Sequence, residues 1–361
     1  MFGFLRALWA LMVVFGHIFW VSDFGRFAVF GFYILSGYLM TYVMHNSYGY
    51  STSGIKSFAI SRALRLYPGY WVACLLSIGL LLSLSDFMLS ASYHTIAIPE
   101  SALSIGANFS MIFPHWLPNQ IEPRLSPATW ALTVELFFYA AIALGISKTL
   151  PRTLIWLGLS LAFIALSYAL ELYWHARYFS IFAGALPFSL GALIFFIKDH
   201  SILKTRMTVI LKRPAILLSL MMSISLSTSF GISRGFSGLW VEVIFYGNML
   251  ISWLLVLSLA QGYSLSDRIG KRWDKMLGDY SYPFYILHYQ AAMIVSVIVY
   301  GKMDILKGDL SPITLLSYFA TLLLLCFTLI NLFDKPVETL RQGLKGKSLK
   351  TKETRLKYDS H

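Results

Sequence analysis

Two ionisable side chains stand in the opening stretch, where an apolar sequence should not carry them. It reads FLRALWALMVVFGHIFW and runs on to GFYILSGYLM, with Arg6 and His17 inside it. Ionisable groups are costly in a bilayer and are usually functional there. Eleven residues of helix rise about 16 Å, so Arg6 belongs near one membrane face and His17 beyond the midplane. A cation at the edge and a titratable imidazole within suggest a site that spans two compartments. Glu135, about five residues into TWALTVELFFY, is a third such group. If that span descends from the far side, Glu135 shares a level with His17. A carboxylate beside an imidazole orients the ring and raises its basicity, which is what a general base needs. The plainer reading is two buried polar groups satisfying each other between helices.

Further clusters invite similar questions. In SRALRLYPGY, at 61–70, Arg62 and Arg65 are three residues apart, so one helical face can present both to an anion. Guanidinium forks suit phosphates, and with Arg6 they would form a phosphate-binding mouth. As positive-inside anchors they would need no ligand, and spacing alone favours that reading. In GDYSYPFYILHY, at 278–289, Ser281, Tyr282, Tyr285 and His288 fall at helical spacing, with His288 roughly 10 Å into the membrane. His288 is open to three readings: proton relay, ligand contact or packed polar residue. Glu242 lies near the outer edge of its span. No His or carboxylate pair has a close metal-ligand spacing, so no metal site is expected.

These residues need helices to position them. The 361 residues are 57% hydrophobic and 13% charged, against about half apolar and a quarter charged for soluble domains. The expectation is an all-α, polytopic transmembrane bundle. Apolar runs of about 20 residues mark ten spans, at 4–22, 26–44, 68–86, 128–146, 153–171, 178–197, 214–231, 239–260, 280–300 and 312–333. The first is expected to be retained as a helix, since no clear small-x-small cleavage site follows it.

Of the 29 Lys and Arg, 22 fall in the loops and tail of one side, and the positive-inside rule makes that side cytoplasmic, with both termini there. The net charge of +12 thus records topology, and nucleic-acid binding is not expected. Cys74 and Cys326 lie in apolar runs, which argues against a disulfide framework or a cysteine metal site. The stretch 87–127 holds five prolines with His94, His115, Glu100 and Glu122, and reads as an ordered lid or re-entrant loop or as a flexible surface loop. Residues 1–335 form the membrane domain, and 336–361 a basic cytoplasmic tail suited to anionic lipid head groups.

Taken in order, these motifs resemble the acyltransferase-3 family of multi-pass membrane O-acyltransferases. Arg6 and His17 fit its Arg-Ala…His helix, and GFYILSGYL its Ser-Gly-Tyr/Phe signature. Arg62, Arg65 and Pro68 fit an Arg-x-x-Arg-x-x-Pro motif; Trp130, Glu135 and Tyr139 fit Trp-(x4)-Glu-(x3)-Tyr. Ser281, Tyr282, Tyr285 and His288 fit Ser-Tyr…Tyr-x-x-His, and FDKPVE the closing Glu-x-Pro turn, with Asp334 in the acidic place. Three departures stand out. Gly3-Phe4 replaces Asp-Gly, Leu136 replaces a second acid, and the 361 residues hold no SGNH-type esterase segment. The membrane domain is therefore expected to complete the transfer itself or to hand on to another protein.

The resemblance implies acyl transfer, most often of acetyl, from cytoplasmic acyl-CoA to a hydroxyl of a surface or lipid-linked carbohydrate, in the cell (inner or plasma) membrane. Acyl-CoA enters as donor substrate, with no bound cofactor expected. His17 becomes the base oriented by Glu135, while Arg6, Arg62 and Arg65 hold the donor. Trp130, Tyr139, Ser281, Tyr282 and His288 become substrate contacts. The competing class is a glycan or lipid-linked sugar transporter, with the same polar groups lining a path; the sequence carries no internal repeat to support it. A scaffold role in a glycan assembly complex is a third class. The sequence leaves acceptor, acyl chain and oligomeric state open.

Overall fold

The computed structural model describes residues 2–19, 21, 23–83, 96–200, 212–265, 270–301 and 309–339. The described residues form helices with no strand. They are α1 Phe2–Ile18, α2 Phe24–Val43, α3 Thr52–Ser83, α4 Ala102–Ser110, α5 Trp130–Ala143 and α6 Leu150–Ala169. There follow α7 Trp174–Tyr178, α8 Ile181–Ile197, α9 Pro214–Ser233, α10 Leu239–Ala260, α11 Lys271–Tyr300 and α12 Pro312–Leu329. Eight helical stretches are long and apolar enough to cross a membrane, and Phe2–Ile18 and Pro127–Ala143 are shorter apolar helices. Each of the ten expected spans falls on one of these. The fold is an all-α, multi-pass membrane bundle.

Local chemistry sets several boundaries. Thr149, Ser180 and Ser311 cap α6, α8 and α12 by accepting a backbone N–H on the side-chain oxygen. Proline opens α9 and α12, where its missing N–H costs nothing. α2 and α11 are the most buried spans, whereas α6, α9 and α12 turn leucines outward, the pattern of central and lipid-facing helices.

The centre is α1 and α2 packed against each other, with α11 on α1 and α8 on α2. Small residues permit the close approach of α2 and α8. A Cβ on Gly37 would lie 2.2 Å from the Phe188 carbonyl oxygen, and one on Gly191 2.0 Å from that of Ile34. Apolar side chains gain nothing by leaving lipid for protein, so such backbone proximity is what holds membrane helices together.

Three sequence-based boundaries shift, and each shift moves a polar residue. α3 starts at Thr52 rather than 68, and α11 at Lys271 rather than 280. Polar helix ends fall below a hydropathy threshold although their residues favour helix. His288 therefore lies about 26 Å along α11, past its midpoint, rather than 10 Å into a span. Arg62 and Arg65 sit a third of the way along α3 instead of in a loop.

The third shift concerns depth. α4 ends against the middle of α3, where Tyr67, Tyr70 and Trp71 donate to the carbonyls of Ser110, Asn108 and Phe109 at 2.7, 2.6 and 3.0 Å. The chain then turns through 111–129, exposing Ile112 and Trp116 and burying 124–129 against the bundle. Ser77 Oγ donates to Leu125 O, Ser126 Oγ to Ile286 O and Tyr285 OH to Ala128 O. Buried Arg124 staples the turn by donating to the carbonyls of Pro127, Asn119 and Ile121. The described part of the expected lid thus ends in a buried stretch, 124–129; His94 lies outside the described residues. Non-helical backbone at this depth is tolerated because protein satisfies its polar groups. As a result, α5 begins beside Tyr285, midway along α11, and has only 14 residues. Of the expected tail, residues 336–339 continue the helix of α12 beyond a π-helical turn at Ile330–Asp334, and residues from 340 on lie outside the described residues.

Candidate active site

A cavity of about 700 Å³ opens between α1, α2, α3, α5 and α11. Arg6, Arg62 and Arg65 line it together, brought from two helices, as do Glu135, Tyr139, Ser281, Tyr282, Tyr285 and Ser36. Its mouth carries Asp274, Lys275, Lys335, Glu338 and Thr339, at the basic end of the bundle. Asp274 also accepts from the Phe4 backbone N–H at 2.8 Å, which fixes the start of α1 and the height of Arg6. The Arg62 guanidinium lies 5.7 Å from the Phe58 ring centroid. The three guanidinium groups share the cavity wall with Lys275 and Lys335 and with the carboxylates of Glu135, Asp274, Asp279, Asp334 and Glu338, which limit the repulsion among the cations.

Glu135 does not pair with His17. Ser36 Oγ donates to its Oε1 at 2.7 Å, and Tyr139 OH donates to the same oxygen. The reason is the depth at which α5 begins. Ala128 lies beside Tyr285, midway along α11, so a residue two turns later has moved toward the basic end, and Tyr139 reaches the Phe58 ring at 6.3 Å. Glu135 belongs to the level of Arg6 and Arg62.

His17 meets His288 instead, with His17 Nδ1 3.0 Å from His288 Nε2. The ring centroids are 5.2 Å apart and the planes 21° from parallel. That separation is too wide for face-to-face contact and fits two rings joined edge to edge. Tyr289 flanks His17 with its centroid at 5.5 Å. His288 is fully buried and its Nδ1 lies 2.8 Å from Tyr285 O. On α11 the cavity lining ends at Tyr285, one turn short of His288. The imidazole pair therefore stands just beyond the cavity's inner end.

The remaining expected contacts divide. Tyr139, Ser281 and Tyr282 line the cavity, although Tyr282 OH also donates to Leu66 O at 2.6 Å and Ser281 Oγ to Gly278 O at 2.7 Å. Trp130 does not line it; its ring packs edge-on against Phe179 and Tyr178, with centroids at 4.7 and 5.6 Å. Ser36 and Tyr285 carry more of the site than their sequence suggested, since a serine beside glycine reads first as a packing residue. Glu242 is ion-paired: Arg177 Nε and Nη2 donate to its two oxygens at 2.6 and 2.7 Å, and Tyr168 OH adds a third bond at 2.7 Å.

A polar cavity carrying three arginines, ending one turn short of the His17–His288 pair and built from membrane helices, is the candidate site of an integral-membrane enzyme. The acyltransferase-3 family model, described as an acyltransferase domain, matches residues 2–331, and the chain belongs to that family. It is a membrane acyltransferase. No curated protein and no solved structure matches the chain.

Proposed function

We propose that the protein transfers an acyl group, acetyl by family frequency, from cytoplasmic acyl-CoA to a hydroxyl of a surface or lipid-linked glycan, in the cell (inner or plasma) membrane. One observation carries this reading: Arg6 lines the cavity, and three turns further along α1 His17 meets His288. The arginines suit the phosphates of CoA. The pantetheine arm, running inward along α1, would carry the thioester toward the imidazoles.

A sugar hydroxyl is a weak nucleophile at neutral pH and needs a base. In the proposed step His17 takes the hydroxyl proton as the oxygen attacks the thioester carbonyl. The C–O bond forms, the C–S bond breaks, and the CoA thiolate recovers the proton from His17. The products are ester and free thiol, with His17 neutral again. Glu135 is assigned to balancing charge among the arginines, since its partners are Ser36 and Tyr139.

The test is mass spectrometry of surface glycans from wild type, deletion and His17→Ala at equal protein level. The deletion and His17→Ala are expected to lose the same acyl mass, which names the group. Wild-type acylation in His17→Ala would remove His17 from the chemistry and bring the transporter and scaffold readings forward.

A further inference from the structure

We propose that His288 is a positioning residue that fixes the tautomer of His17 and leaves Nε2 of His17 as its basic nitrogen. This rests on the reading of His17 as the base. A backbone carbonyl only accepts hydrogen bonds. His288 Nδ1, 2.8 Å from Tyr285 O, therefore carries a hydrogen. A fully buried imidazole among apolar helices is neutral, because a charge there would be uncompensated. With its hydrogen on Nδ1, neutral His288 has its lone pair on Nε2. That lone pair faces His17 Nδ1 at 3.0 Å, so His17 Nδ1 is the donor. A neutral His17 protonated at Nδ1 is basic at Nε2.

The chain from Tyr285 O through His288 to His17 is thus ordered in one direction. It also suits the moment of transfer. When His17 Nε2 takes a proton, Nδ1–H already points at an acceptor, so the new imidazolium needs no ring flip to be stabilised. A carboxylate could fill this place, as the sequence suggested for Glu135. A neutral imidazole does so without bringing a charge into the interior of a membrane bundle, where charge is expensive. Tyr285 ties the arrangement to the fold, since its hydroxyl donates to Ala128 O at 2.6 Å while its carbonyl orders His288.

Solid-state 15N NMR of the full-length, histidine-labelled protein in liposomes reads the tautomer directly, with His17→Gln identifying the His17 signals. The expected wild-type state is Nδ1 protonated and Nε2 bare. His288→Phe is expected to move the proton to Nε2, or to mix the two states. An Nε2-protonated His17 in wild type, or an unchanged tautomer in His288→Phe, overturns the proposal. Kinetics supply the second arm. His288→Gln places an amide oxygen where Nε2 stood, whereas His288→Asn reaches only the Nδ1 position. Phe and Asn are expected to lower turnover on the order of 10–100-fold, the usual loss when a working imidazole loses its partner, with the KM for acyl-CoA unchanged and Gln restoring most of the rate. Equal loss in all three variants sinks the positioning role. Full transfer by His17→Ala would instead defeat the base reading, while the tautomer measurement would still stand.

Discussion

Arg6 and His17 lie on one face of α1, eleven residues and close to three full turns apart. Arg6 points to the cavity and His17 to His288, so a single helix joins the arginine-bearing cavity to the imidazole pair. The neighbours that complete each end come from elsewhere: α3 supplies Arg62 and Arg65, α5 supplies Glu135, and α11 supplies His288.

The arginines are expected to act on donor binding. Arg62→Gln and Arg65→Gln should each raise the KM for acyl-CoA about 10–100-fold, the worth of a hydrogen bond to a charged group, with a smaller change in turnover. Lysine should restore only part, because it lacks the bidentate fork. Initial rates against donor concentration in membrane vesicles give the answer. A fall in turnover at constant KM would place them at the reacting carbonyl instead.

Direct transfer predicts that no acyl-protein accumulates when donor is present and acceptor is absent. Intact-protein mass spectrometry after rapid quenching checks this. A stable acyl adduct would establish a two-step route; Ser36, which donates to Glu135 within the cavity, is the first position to map.

Glu135→Gln keeps the shape of the side chain and removes its charge beside three guanidinium groups. The expected result is a change in donor KM and a stability loss of about 1–3 kcal/mol, with the His17 tautomer unchanged. A shift in that tautomer would mean that Glu135 reaches the imidazole pair after all.

Gly191→Ala drives a methyl to within 2.0 Å of the Ile34 carbonyl oxygen, and a backbone cannot rotate away as a side chain can. Separating α2 from α8 should cost about 1–3 kcal/mol and move Ser36. A lower melting midpoint in detergent, with reduced activity in proportion, is the expected signature. An unchanged midpoint would show that the two helices slide freely.

The Arg177–Glu242 pair, with Tyr168 as third partner, clamps α6, α7 and α10 away from the cavity. Glu242→Leu strands a partly buried guanidinium and should cost about 3–5 kcal/mol, much of it recovered in the double variant Arg177→Met/Glu242→Leu. Thermal unfolding measures both. The KM for acyl-CoA should not move, and a change there would tie the clamp to the site.

How far the sequence reached depended on range. Ten apolar runs were enough to place ten helices, because lipid forces every spanning backbone to satisfy itself locally and side-chain hydropathy reports that demand directly. The order of the Arg, His, Glu and Tyr motifs likewise identified the family. Helix ends escaped where polar residues continued the helix, as at Thr52 and Lys271, and depth was misjudged with them.

Partnership was decided by tertiary structure alone. The spacing of Arg6 and His17 is a property of one helix, so it could be read from the chain. Whether His17 meets Glu135 or His288 depends on where α5 begins. That in turn depends on Tyr285, Ser126 and Ser77 holding the turn before α5 against α11 and α3. These bonds join residues far apart in sequence, and they go to backbone carbonyls, which every residue has and no residue type announces.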